Sequence, residues 1–164
     1  MKRIISILME NESGALSRVV GLFAQRGYNI DTLTVAPTDD DTLSRLTLTT
    51  QGDDHMAEQI VKQLHKLIDT IKVVDLTQGA HIERELMLVK IKATESDVRR
   101  ELISCVDIFR GHIIDVTPMT YTVQLAGDSE KLDAFIEAVG EMGIMEVVRS
   151  GVSGISRGDK FLRV

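Results

Sequence analysis

Arg26-Gly27-Tyr28-Asn29-Ile30-Asp31 returns 84 residues later as Arg110-Gly111-His112-Ile113-Ile114-Asp115, and this recurrence decides the fold. The same offset lays residues 4–8 on residues 88–92. Further along, Gln51-Gly52-Asp53 recurs as Ala126-Gly127-Asp128, and Ile71-Lys72-Val73-Val74 is echoed 74 residues later by Met145-Glu146-Val147-Val148. A shrinking offset means shorter segments in the second copy. Self-similarity on this scale marks one supersecondary unit built twice.

The periodicities inside a copy define the unit. Ile5, Ile7 and Met9 alternate with a less uniform face, as a strand requires. After the break at Asn11-Glu12-Ser13-Gly14, Leu16, Val19, Val20 and Phe23 recur at helical spacing, which predicts a helix over 15–26 stopped by Gly27. Residues 29–36 and 43–50 are rich in β-branched types and flank the polar turn Pro37-Thr38-Asp39-Asp40-Asp41, a hairpin signal. Asp53 then caps a second helix whose Met56, Ile60, Leu64, Leu67 and Ile68 share a face, before a strand over 71–76. The second copy reads as strand 86–91, helix 96–109, a hairpin about residues 117–120, helix 129–139 and strand 144–149. The expected fold class is α+β: two tandem ferredoxin-like βαββαβ units, residues 1–78 and 79–164, the second ending in a flexible tail. Each sheet has one helix-covered face, and its edge strands invite pairing with another copy, so a dimer is expected.

At 164 residues and 18.2 kDa, the chain holds two very small domains and no large enzyme. A net charge of −6 and a pI near 5.2 argue against nucleic acid as a partner. No apolar run approaches the ~20 residues of a membrane span, and the start of the chain reads as mature sequence. The single cysteine, Cys105, forms no intramolecular disulfide and lies in an apolar helical stripe; a reducing, cytoplasmic setting fits.

No catalytic set of nucleophile, base and stabiliser assembles. His55, His65, His81 and His112 are scattered, and none has a second ligand at metal-binding spacing. Asp39-Asp40-Asp41 reads as a solvated turn. Gly151, Gly154 and Gly158 match no phosphate-loop spacing and no helix follows them, hence the tail assignment. What remains is the loop Asn11-Glu12-Ser13-Gly14-Ala15-Leu16, which ends in a helix N-terminus. Its free N–H groups and dipole suit a carboxylate, and Gly14 permits close approach. A plain N-cap by Ser13 or Asn11 accounts for the loop equally well. Asn29, expected to open strand two beside this loop, tips the reading toward binding. The second copy has Ile113 at that position and Lys92-Ala93-Thr94-Glu95, without glycine, in the loop.

The stretch Leu8-Met9-Glu10-Asn11-Glu12-Ser13-Gly14-Ala15-Leu16-Ser17-Arg18-Val19, with Arg26-Gly27-Tyr28-Asn29-Ile30 and Leu33-Thr34-Val35-Ala36-Pro37-Thr38, closely resembles an ACT domain. More narrowly, it resembles the regulatory small subunits of acetohydroxyacid (acetolactate) synthase. That likeness continues through Phe109-Arg110-Gly111-His112-Ile113-Ile114-Asp115-Val116 and Tyr121-Thr122-Val123-Gln124-Leu125-Ala126-Gly127 to the end of the chain. The resemblance implies a non-catalytic partner of a catalytic large subunit that condenses 2-oxo acids on the way to branched-chain amino acids. Thiamine diphosphate, Mg²⁺ and any FAD would all belong to that large subunit, and none of these cofactors to this chain. It further implies activation of that subunit and feedback inhibition by valine bound between the ACT domains of a homodimer. Asn11, Gly14 and Asn29 match effector positions, with Ser13, Ala15, Leu16 and Ile30 beside them. The alternatives are a stand-alone ACT-type amino-acid sensor, which shares every binding residue, and a small acylphosphatase-like hydrolase using Arg18 or Arg26. The hydrolase needs an arginine in the first loop, where this sequence has Asn11 to Gly14.

Overall fold

A computed structural model describes residues 1–164. Strand β1 (Lys2–Glu10), helix α1 (Ala15–Gln25), β2 (Thr32–Pro37), β3 (Leu43–Gln51), α2 (Asp54–Leu64) and β4 (Thr70–Asp75) form the first βαββαβ unit. After a short turn of 3₁₀ helix, β5 (His81–Lys92), α3 (Ser96–Ile108), β6 (His112–Val116), β7 (Thr120–Gly127), α4 (Ser129–Gly143) and β8 (Ile144–Arg149) repeat it, and a final strand β9 (Ser153–Ser156) follows. The sheet orders are β2-β3-β1-β4 and β6-β7-β5-β8, with every described pairing antiparallel. The α+β, ferredoxin-like class is therefore what the chain forms.

Alternation places Ile5, Ile7 and Met9 on one face of β1, opposite Leu48 and Leu46 of β3, under Val19 and Phe23 of α1 and Ile60 and Leu64 of α2. All are buried. Full burial of such a side chain contributes roughly 1.5–3 kcal/mol, so this face holds the unit together. In the second unit Met87, Val89 and Ile91 meet Leu102, Val106, Leu132 and Phe135 in the same way, with Cys105 packed at the margin. Register shifts at Leu8/Met9 and Lys90/Ile91 interrupt the β1–β4 and β5–β8 pairings, and a third falls at Ile113/Asp115 between β6 and β7. The Arg-Gly repeat is used differently. Gly27 takes the left-handed turn after α1, but after α3 that conformation falls on Arg110, while Gly111 lets the backbone come close to the Gln124 carbonyl.

Several expectations change: β2 begins at Thr32 and not at residue 29, and α4 runs on to Gly143. Helix α2 ends at Leu64, because i→i+3 bonds from Lys66 to Gln63 and from Leu67 to Leu64 tighten the chain and turn Ile68 out to solvent. The boundary at 78/79 and the flexible tail are corrected as well. One compact unit comprises residues 1–83 with 151–164, and the other comprises residues 84–150. Residues 151–156 lie on the second face of the β2-β3-β1-β4 sheet, where Val152 is buried with Ile4 and Leu76, and β9 pairs with β5, whose first three residues belong to the same unit. The Arg45 guanidinium donates to the Gly154 carbonyl at 3.1 Å, and Arg157 donates from its backbone to Ala80 at 2.9 Å. The glycines are what permit this contact. A Cβ at Gly154 would stand 2.6 Å from Leu76, and one at Gly151, whose φ is +85°, would stand 2.9 Å from the Thr34 hydroxyl.

Candidate effector site

The loop after β1 is tied down from three sides. Asn11 donates its backbone N–H to the Thr42 carbonyl (2.8 Å) and its amide to the Asp41 carbonyl (2.9 Å), which fixes the loop to the β2–β3 turn. That turn is itself braced by Asp40, whose carboxylate the hydroxyl and N–H of Thr42 hold below the usual carboxylate range. Glu10 donates its N–H to the Asp69 carbonyl at 2.8 Å. Gly14 is the N-cap of α1 in the left-handed conformation (φ +85°, ψ −8°), and no side chain caps the helix. The Ser13 or Asn11 cap is thus not formed. Ala15 is buried with its N–H on the Glu12 carbonyl, and the N–H groups of Leu16 and Ser17 have no acceptor in the first turn. Leu16 is 37% exposed and offers an apolar surface beside these donors.

Asn29 lies elsewhere. Its carbonyl accepts from the Thr50 hydroxyl (2.5 Å) and its amide donates to Asp31 (2.7 Å), while Ile30 packs on the edge of the core. Thr42 stands just before β3 and Thr50 near its end, eight residues apart in nearly extended chain, about 26 Å at ~3.3 Å per residue. Within one chain, therefore, Asn29 and Ile30 stand at the opposite end of the sheet from Asn11, Ser13, Gly14, Ala15 and Leu16. The expectation that Asn29 adjoins the loop is corrected by topology. Both β1 and β2 run antiparallel to β3, so β2 starts where β1 starts, and the loop follows the end of β1.

A family model described as "AHAS small subunit-like ACT domain" matches residues 5–72, and one described as "Small subunit of acetolactate synthase" matches residues 84–158. The acetolactate synthase isozyme 3 small subunits of Salmonella typhimurium and Escherichia coli are each 63% identical over 164 residues, covering 99% of this chain and 100% of theirs. The crystal structure of the acetolactate synthase small subunit from Thermotoga maritima superposes with a TM-score of 0.88 at 34% identity, covering 98% of this chain and 99% of that one. The chain belongs to the acetolactate synthase small subunit family. Its first unit is accordingly an ACT domain.

Two residues that sequence reasoning did not place at this loop lie against it. Arg18, one helical turn beyond Gly14, donates through Nε to the Asp69 carboxylate at 2.5 Å and through Nη2 to the Ser13 carbonyl at 3.4 Å. Its Nη1 lies 3.0 Å from where a Gly14 Cβ would stand. Asp69 raises the Arg18 pKa above its ordinary value, and Asp69 itself is buried. The i, i+4 spacing from Gly14 was a readable signal for Arg18. Nothing local marks Asp69, which tertiary folding delivers from the approach to β4. Of the two arginines offered to the hydrolase reading, Arg18 lies in α1 with its Nε on Asp69 and Arg26 sits at the far end of α1, and the first loop itself carries no arginine.

Proposed function

We propose that this chain is the regulatory subunit of an acetolactate synthase: it binds the catalytic large subunit, raises its activity and confers feedback inhibition by valine. Thiamine diphosphate, Mg²⁺ and any FAD are assigned to the catalytic chain, and the setting is the cytoplasm. The observation that carries the reading is the uncapped start of α1, with its left-handed Gly14, next to an exposed sheet edge. Two copies joined in antiparallel fashion along their β2 edges about a two-fold axis would set the start of β2 in one against the end of β2 in the other. Asn29 and Ile30 of one protomer would then adjoin the 11–16 loop of its partner, and the two halves that one chain separates by about 26 Å would meet across the dimer. A valine carboxylate would take the free N–H groups of Leu16 and Ser17, and an asparagine amide would serve as donor or acceptor to the zwitterion. Regulation follows by linkage. Valine binds one arrangement of the dimer better and biases the attached enzyme by that differential affinity.

Calorimetry on the full-length protein, joined to an activity assay with the catalytic subunit, tests this. The expected results are valine binding near micromolar, about −8 kcal/mol, and no turnover of pyruvate by this chain alone. Added to the catalytic subunit, the chain should raise turnover and make it valine-sensitive. Turnover of pyruvate by this chain alone, or no heat with valine, leucine or isoleucine, would overturn the reading.

A further inference from the structure

The Arg18 guanidinium stands against the space that the missing Gly14 side chain leaves open. It is not spent there. Nε faces Asp69 and Nη2 reaches Ser13, while Nη1 has no protein partner and the side chain remains 45% exposed. The two N–H donors of Nη1, on a permanent cation, thus stand against Gly14, the N-cap of the helix whose first turn leaves the N–H groups of Leu16 and Ser17 unpaired.

The second unit supplies an internal comparison. Arg99 holds the same place, four residues after the residue that precedes α3. There the guanidinium donates to the Ala93 carbonyl (2.7 Å) and the Pro118 carbonyl (2.5 Å) and stacks on Tyr121, tying the loop to the β6–β7 turn. The residue before α3 is Glu95, with ordinary φ, and the position equivalent to Asp69, just before the strand that follows the second helix, is Gly143. A carboxylate-aimed arginine over a left-handed glycine occurs in the first unit and not in the second.

We propose that Arg18, aimed by Asp69, is the charged contact to the carboxylate of the amino-acid effector. Its Nη1 works with the N–H groups of Leu16 and Ser17, so the free carboxylate is what the site recognises most strongly. This rests on the effector reading above and adds to it the residue that sets preference for an acid over its amide.

The test measures L-valine and L-valinamide binding to the full-length dimer by calorimetry. The variants are the neutral pair Arg18→Met/Asp69→Asn, which leaves no buried carboxylate unpaired, and Arg18→Lys, which keeps the charge without the fork. Hydrogen bonds to charged groups predict that the neutral pair loses valine affinity about ten- to a hundredfold and loses most of its preference for valine over valinamide, with melting temperature and dimer unchanged. Arg18→Lys should fall between it and the parent. Equal weakening of valine and valinamide would make Arg18 a structural brace only, and valine affinity equal to the parent's would remove it from the site; either result overturns the proposal while the effector reading stands. A parent protein that takes up no valine overturns the effector reading itself.

Discussion

Gly14 shows how one residue can be required for two separate reasons. Its φ of +85° is costly for an L side chain, by roughly 1–2 kcal/mol, although Asp and Asn tolerate it better than most. The Arg18 guanidinium also crowds the position a Cβ would take, its Nη1 standing 3.0 Å away. Gly14→Asp should therefore place its carboxylate on Arg18, where the effector carboxylate is expected. Two like charges ~4 Å apart at an effective dielectric near 20 repel by about 4 kcal/mol, and even strongly discounted for exposure this leaves a loss on the order of a hundredfold in valine affinity. Gly14→Asn has the same shape and no charge, so it should lose distinctly less. The dimer and its activation of the catalytic subunit should survive both, since a polar residue at a helix N-terminus is compatible with the helix. An activity assay with valine titration reads this directly: full valine sensitivity in Gly14→Asp would reduce the loop to a helix start, and loss of activation would make it a subunit contact. Gly14 and Asn11 were legible in the sequence because loop chemistry is local. Arg18 was legible only as a spacing, and its partner Asp69 not at all.

At the scale of elements, strand and helix identities follow from periodicity, and the expected Asp53 cap forms by accepting from the Met56 N–H, as Asp128 does from Lys131 in the second unit. What failed was long range. Chain proximity puts Asn29 at the wrong end of the sheet, because strand direction is set by pairing, and residues 151–156 read as a free tail because glycine marks close approach as readily as freedom. On the second sheet face Ile4, Ser6, Thr47 and Thr49 are all buried, though no α-helix lies there and only the 3₁₀ turn at Leu76 reaches it besides the C-terminal strand. Their cover is the C-terminal strand, so Gly154→Val should lift it off by driving a side chain into Leu76. Overpacking of this kind costs about 1–3 kcal/mol. Chemical denaturation should show that loss, with faster proteolysis within residues 151–164, whereas Gly158→Ala, where a Cβ meets open space and only φ opposes it, should lose less. Equal stability of the two variants would mean that the strand contributes nothing to the face it covers. A fragment ending near residue 78 lacks this cover and should be less stable than the same unit in the whole chain.

At the scale of the whole molecule, the separation of Asn29 from the 11–16 loop makes effector binding and dimerisation one equilibrium. Each proposed site needs the loop of one protomer and the β2 start of the other, so a monomer holds only halves of sites. Of the two edge strands of the ACT sheet, β2 is the more open, with Val35, Ala36 and Pro37 exposed. In a two-fold antiparallel pairing the middle of β2 faces its own copy, so Val35→Asp sets two like charges near the axis, where cross-strand repulsion is destabilising. The expected outcome is a shift toward monomer in sedimentation, together with a parallel loss of valine affinity, although residue 35 belongs to neither half of the site. Linkage adds a stricter condition. Whatever factor valine contributes to dimer affinity, dimerisation must contribute to valine affinity, so saturating valine should restore dimer in Val35→Asp to the extent predicted from the binding curves of the parent. A Val35→Asp protein that stays dimeric and binds valine unchanged would move the interface off β2, and one that becomes monomeric yet binds valine with full affinity would put the whole site within a single chain.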